Sequence, residues 1–415
     1  MNIFTKKQVY KTQLIAHSLM TTMLIVFCFG CIVGQPLDTG MVSVKAFSKY
    51  VVDQGKETED WQPAFQKAIE ECGKKGATLF VSCGTYKIRK AIKVPQIAVR
   101  KGVLNPGRMN ILGAGRFQTI IQQQIDTENV LDWSGPAYKK SYSGGTLKNI
   151  SLAGGKTCLN IKWHNYFYLE NCYIAGAKEY GIHAEGWSSR FSNITVRHCR
   201  KAGLRGTGHF NDIVISNGYF SRDKIGILLG GGNGVRIIGV SIENCSDSAI
   251  VVMNTSSVSI RDCYFESNSE VKEVHGKKGK TFPNAVHLDG HANNVVISGC
   301  IFRGGRGYFN ANMIGILGGT NHTIRENRFS NCNVAVKLLD KSAHWDKMNG
   351  QVPKRLRVIQ NDFHSTKKVK KYRLKRKMPV SGHFFAEAVP GLIEKAKATD
   401  CEFEKPTLSN IGSED

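Results

Sequence analysis

The side chains best suited to chemistry are Glu243, Glu266 and Arg303, which fall at matching places in successive segments of the chain. Each follows the central apolar residue of a short alternating run: Ile242, Phe265 and Phe302. Two carboxylates brought side by side, with a cation next in line, suit proton transfer to and from a substrate. A second set lies just downstream: Asp247, then His287 and Asp289 from the run AVHLDGH (285–291). If Val286 and Leu288 point inward, period-two alternation turns His287 and Asp289 outward. The candidate catalytic residues are therefore Glu243, Glu266, Asp289, Asp247 and His287. The candidate substrate-binding residues are Arg303, Arg197, Lys277, Lys278 and Tyr264.

Two reactions fit these groups, hydrolysis slightly ahead of elimination because paired carboxylates outnumber obvious lyase bases. Hydrolysis of a glycosidic bond uses one carboxylic acid and one carboxylate, and the four acids supply several such pairs. Elimination from a uronic acid needs a base at the C5 proton and a cation on the sugar carboxylate. His287, Lys201, Arg205 and Arg303 are open to those roles. A non-catalytic reading stands beside them: outward Tyr173, Tyr219, Tyr264 and Trp187 could stack on sugars in a binding or adhesin-like tube.

Residues so far apart in sequence can meet only if the chain repeats in space, and it repeats in sequence. From about Leu147 to His364 one apolar position recurs every 22 to 24 residues, with a few longer steps. It falls at Leu152, Ile174, Val196, Phe220, Ile242, Phe265, Phe302, Phe329 and Phe363. Each unit carries alternating short runs, a strand signal, and a fixed period of this size predicts a solenoid. No unit buries its own face, so units stack into a parallel β-helix with coils about 4.8 Å apart. The predicted class is all-β, in one long domain over 40–377 with regular coils over 147–366 and a closing segment over 378–415. Residues 58–73 (TEDWQPAFQKAIEECG) predict one helix, with Thr58 as N-cap and Gly73 as its end. Trp61, Ala64, Phe65, Ala68, Ile69 and Cys72 form its apolar face, fitted to cover the open N-terminal end of the tube.

The opening resembles the pectate lyase superfamily. There an acidic or Thr turn leads through an A-x-x-x-A-I helix to a Gly-rich strand and an L-x-G-x-G strand-turn. The matching residues are Thr58, Asp60, Ala64, Ala68, Ile69, Gly76, Gly84, Thr85, Tyr86, Leu112, Gly113 and Gly115. The resemblance covers about 40–365 and implies a right-handed β-helix. It departs at DQGKETED (53–60) and at Cys83, where proline is usual. It leaves the reaction open, because the superfamily holds lyases, glycoside hydrolases, epimerases and phage tailspikes, some of them trimers. Monomer and trimer both remain open. Gly113-Ala114-Gly115 runs into the strand TIIQQ, so no helix N-terminus is offered to a phosphate.

Residues 1–34 resemble an export signal: Lys6, Lys7 and Lys11 precede an apolar stretch ending at Val33. Cys31 is a candidate lipid acceptor, which would make this anchor the one membrane contact. The expected location is secreted, periplasmic or cell-surface. A net charge of +24 calls for an anionic partner. No nucleic-acid motif accompanies it, so an acidic polysaccharide is the expected substrate. Apart from Cys28 and Cys31 in the apolar leader, no C-x-x-C pair or His/Cys metal spacing is present, so no cofactor is expected, with Ca²⁺ left open. Cys172, Cys199, Cys245, Cys263, Cys300 and Cys332 recur at related points of the repeat and read as buried free thiols, while Cys72 and Cys83 are a candidate bridge. Insertions at 270–283, 304–312 and 341–354, and the basic run 367–377, are candidate binding rims.

Overall fold

The computed structural model describes residues 40–53, 59–94, 109–134, 144–268, 284–304, 312–330, 334–339, 353–364 and 402–403. The chain divides into a short unit up to Met41 and a second unit from Val42, to which everything below refers. Three parallel sheets of 14, 11 and 10 strands run the length of this unit. The chain visits them in turn, so each coil contributes one strand to each. A representative coil has Tyr168–Glu170 on the first face, Tyr173–Ala175 on the second and Tyr180–Trp187 on the third. This is the predicted all-β, right-handed parallel β-helix.

Strands on the first two faces are mostly three residues long, with only the central side chain buried. The apolar repeat is that central residue. Leu152, Ile174, Val196, Phe220, Ile242, Phe265, Phe302, Phe329 and Phe363 pair in one continuous register. Within it the rings of Phe265, Phe302 and Phe329 stack at 4.6 and 4.9 Å. Replacing the central Phe302 with alanine costs about 3–5 kcal/mol in a core that cannot collapse around the gap.

Corners between strands this short need a residue with positive φ. Between first and second faces it is Asn149, Asn171, Asn193 and Asn217, at φ 50 to 56°. Asparagine tolerates that conformation because its short side chain hydrogen-bonds locally. Here Asn171 Nδ2 donates to Asn149 Oδ1 at 2.8 Å and Asn193 Nδ2 to Asn171 Oδ1 at 3.2 Å, linking corner to corner.

The helix α1 spans Gln62–Lys75 and buries Ala64, Phe65, Ala68, Ile69 and Cys72, the predicted face. It packs on the strands Thr78–Val81 and Ile92–Lys93 of the first coil. Its limits differ from the expectation. Pro63 lies in the first turn, and Asp60 Oδ1 accepts from the backbone of Gln62 at 3.1 Å, so Asp60 does the capping assigned to Thr58. Helical bonding passes through Gly73 and ends at Gly76, φ 66°. Trp61 stands at the N-cap, half-buried, edge-on to Tyr86 at 4.9 Å. Thr58 itself lies outside the described residues.

Cys172, Cys199, Cys245, Cys263 and Cys300 are buried free thiols, as is Cys158. Burial pushes the Cys158 and Cys172 thiols up to about 12. The Cys72–Cys83 bridge is not formed: both are free, Cys72 on the buried face of α1 and Cys83 exposed. Cys332 and, apart from Glu402–Phe403, the closing segment 378–415 fall outside the described residues.

Asp223 is an acid among these thiols, 1% exposed. It holds the interior corner position that Asn268 holds two coils later. Asn268 Oδ1 accepts from the Cys245 backbone at 3.0 Å, and its Nδ2 donates to the Ile242 carbonyl at 2.7 Å. Asp223 Oδ1 accepts from the Cys199 backbone at 2.7 Å in the same way, but a carboxylate has no hydrogen to donate. Burial pushes its carboxyl up to about 8, well above the ordinary 3.8. The folded-state pKa lies above the unfolded one, so the proton is kept on folding and lost on unfolding throughout that window. Stability from this group is full at acid pH and falls as pH rises through the window, by up to about 1.4 kcal/mol per pH unit. Asp223→Asn should remove this slope and present an N–H donor toward Val196, the counterpart of Ile242, at every pH. Urea midpoints of the two proteins should coincide near pH 4 and diverge by pH 8, with the variant more stable. Parallel curves would contradict a buried, protonated Asp223.

Candidate functional site

Glu243 and Glu266 are direct neighbours on adjacent coils of the second face, and Arg303 pairs with Glu266 on the next. All three point outward, because Ile242, Phe265 and Phe302 between them point in. Glu243 Oε2 accepts from the Tyr219 hydroxyl at 3.0 Å. Glu266 Oε2 accepts from the Tyr264 hydroxyl at 2.8 Å, and its Oε1 lies 3.6 Å from Arg303 Nε. Arg197 is in the same column two coils earlier, with Nε donating to Ser221 Oγ at 2.9 Å.

The other candidates lie elsewhere. His287 is on the third face, so the tube wall bends between it and Glu266. The expectation that His287 and Asp289 are solvent-facing is corrected: they are 0% and 1% exposed. His287 does sit on the outward row, but that row is covered at this point, where its register partner Val251 is also 0% exposed. His287 Nδ1 lies 3.3 Å from Asn284 Nδ2, and Asp289 Oδ1 accepts from the Gly290 backbone at 2.7 Å. Asp247 is buried too, at 7% exposure, in the corner leading into the third face. Thus Glu243, Glu266 and Arg303 come together, and His287, Asp289 and Asp247 do not join them at an open surface. Lys277 and Lys278 fall outside the described residues.

A different cluster lies further toward the N-terminus on the third face. Its strands are the longest among the described residues, Thr157–Asn165, Tyr180–Trp187 and Ala202–Asn211. The outward column there reads Asp132, Asn160, His183, Arg205 on four consecutive coils, then turns apolar at Leu228 and Val251. Asp132 Oδ1 accepts from Asn129 Nδ2 at 2.7 Å and Asn160 Nδ2 at 2.8 Å. His183 Nε2 shares a hydrogen bond with Thr207 Oγ1 at 3.1 Å. Arg205 lays its guanidinium over the Tyr180 ring at 4.9 Å and donates to the Tyr180 hydroxyl. Lys201 lies over the same ring at 5.8 Å and pairs with Glu179 at 2.7 Å, which holds the Glu179 carboxyl below its usual range.

The backbone is irregular beside this cluster, with register shifts between Lys162 and His164 and between Ala184 and Gly186. Gly186, at φ 156°, passes so close to the His164 carbonyl that no side chain fits. The bulges bring Trp163 and Trp187 against His209, ring centroids 5.6 and 5.2 Å away. The result is a half-buried patch with a histidine, cations, carboxylates and an aromatic rim.

Burial, then Arg205 and Lys162, lowers the His183 pKa from 6.5 to about 4. At neutral pH the ring is an uncharged base beside a fixed cation. Arg205 and Lys201 were legible as candidate cations, but His183 was not. The signal was available: CLNIKWH, GIHAEGW and GLRGTGH align on their apolar residues, which puts Asn160, His183 and Arg205 in one outward column. Among the described residues no three His, Cys, Asp or Glu side chains are grouped to hold a metal ion.

The sequence profile of the family described as "right handed beta helix region" matches residues 157–309. No curated protein sequence matches the chain. Similar solved structures include the catalytic unit of a thermostable α-1,3-glucanase from Streptomyces thermodiastaticus, at TM-score 0.55 and 14% identity over 80% of this chain and 62% of that one. An A-module of mannuronan C-5 epimerase from Azotobacter vinelandii gives TM-score 0.51 and 14% identity over 78% and 99%. The N-terminal fragment of gene product 12 of bacteriophage phi29 gives 0.55 and 14% over 77% and 62%. The chain thus spans less than two thirds of the glucanase and phage chains. These likenesses establish the fold, a right-handed parallel β-helix.

If Arg205 depresses the His183 pKa, Arg205→Gln should raise it toward 6.5. An NMR titration of the His183 ring measures this directly. A parent titrating near 6.5 would contradict the burial assigned to the ring.

Proposed function

We propose that the protein is an exported enzyme that cleaves an acidic polysaccharide by elimination on the third face. The observation that carries this reading is the register of His183 with Arg205, an uncharged base and a fixed cation on adjacent coils. Arg205, positioned by Tyr180, neutralises the uronate carboxylate and so makes the adjacent C5 proton more acidic. His183 takes that proton, the C4–C5 double bond forms, and the C4–O bond breaks. Lys162, close enough to lower the His183 pKa, supplies a proton to the departing oxygen. Trp163 and Trp187 offer sugar-stacking surfaces at the rim. The net charge of +24 favours an anionic polymer.

A second reading, hydrolysis, rests on the pairing of Glu243 with Glu266 on the second face. The products separate the two, because elimination leaves an unsaturated sugar absorbing near the ultraviolet edge and hydrolysis adds water. Incubation with a panel of uronate polymers should give the absorbing product. His183→Gln should lower kcat by about 10²–10⁴-fold, the usual share of a general base. Arg205→Lys should lose most activity while keeping the charge, since lysine cannot repeat the stacked, hydrogen-bonded geometry. Because the His183 pKa is lowered to about 4, the rate should hold through neutral pH and drop only as pH falls through that value. Hydrated products, lost in Glu243→Gln and Glu266→Gln, would move the reaction to the second face. Binding without any turnover would favour a binding tube.

A further inference from the structure

The second face carries an aromatic column outside the chemistry proposed for the third. In register along the tube lie Tyr173, Thr195, Tyr219, Ser241 and Tyr264. An aromatic residue thus alternates with a small hydroxyl residue, coil by coil. With coils about 4.8 Å apart, the tyrosines stand about 9.6 Å apart. That is close to the length of two pyranose rings in an extended, two-fold chain.

The column is half-exposed, and its members are fixed in place. The Tyr219 hydroxyl donates to Glu243 and the Tyr264 hydroxyl to Glu266, which anchors the rings at their tips. Phe117 is 64% exposed and packs on Tyr173 at 5.4 Å, extending the line at its N-terminal end. Arg116 lays its guanidinium over Phe117 at 4.8 Å and donates to Thr195 Oγ1 at 3.4 Å, which puts a cation over the first gap between tyrosines. Arg197 flanks the same gap in the next column.

We infer that this face binds one extended glycan strand parallel to the tube axis. Alternate sugars stack on Tyr173, Tyr219 and Tyr264, the sugars between them lie over Thr195 and Ser241, and an acidic sugar faces Arg116. The acidic character of the ligand rests on the proposed function; the spacing argument does not. Such a track would hold the polymer beside the reaction centre on the neighbouring face and raise its local concentration.

The test is binding of end-labelled β-1,4-linked mannuronate oligomers, from two to eight residues, to the full chain by fluorescence anisotropy. Affinity should rise with length until the oligomer spans Tyr173 to Tyr264, roughly 19 Å at four coil steps, and then level off. Tyr219→Ala and Tyr264→Ala should each weaken binding of the longer oligomers about 3- to 10-fold, in keeping with the worth of one aromatic contact. Tyr219→Phe and Tyr264→Phe keep the rings and should keep the binding, which separates stacking from a folding defect. His183→Gln should bind as the parent does while losing turnover. Length-independent affinity would overturn the inference. So would tyrosine-to-alanine variants that bind like the parent, or binding lost in His183→Gln. Absence of turnover in the parent would remove the elimination reading alone.

Discussion

Backbone pairing between successive coils is the constraint on which the molecule depends. In a parallel ladder every strand residue is tied to the residue one coil away, so residues 22 to 24 apart become touching neighbours. A slip of one residue would turn the interior columns outward and the exposed ones inward. The column from Leu152 to Phe329 opposes any such slip, because each member is buried and most of its worth is lost outside. The outer surface inherits this register: Glu243 lies beside Glu266, and His183 beside Arg205, because Ile242 lies beside Phe265 and Ile182 beside Leu204.

The interior pays attention to polarity as well as volume. Corners bring backbone N–H and C=O groups inside, where an unmet hydrogen bond is costly. Asn268, Asn327 and Asn361 meet this need in one pattern, accepting from one backbone N–H and donating to a carbonyl three residues before it. Cysteine fills neighbouring corner positions, small enough for the bend and apolar enough for the core. Asp223 departs from the pattern, an acid where the amides stand, and burial keeps its proton on at neutral pH. Helix α1 covers the first coil and so blunts the end at which free strand edges would otherwise invite pairing.

The second and third faces differ because their strands differ. On the second face a three-residue strand presents two outward side chains around one buried residue, so the surface is two parallel columns, one aromatic and hydroxylic, one charged. Long strands on the third face carry more outward positions per coil and tolerate bulges, beside which Trp163 and Trp187 pack on His209. Partial burial follows, and with it the perturbed His183 ring. A scaffold of this kind is shared by a glucanase, an epimerase module and a phage gene product, so the fold alone does not fix the activity.

The repeat, its register, the helix face and the free thiols were legible in the sequence, since all follow from apolar period and local volume. So was the adjacency of Glu243, Glu266 and Arg303, which needs only the register. Helix limits were less legible, because Asp60 and Pro63 compete with Thr58 to set the start and Gly76 rather than Gly73 takes the left-handed end. Alternation correctly placed His287 on an outward row, yet an outward row is not an exposed one. Whether a side chain meets solvent depends on what the rest of the chain lays over it, and His287 and Asp289 are covered while His183 is only half-buried. Which face each residue occupies, and how much water reaches it, are properties of the closed tube: no stretch of sequence shorter than several coils contains them.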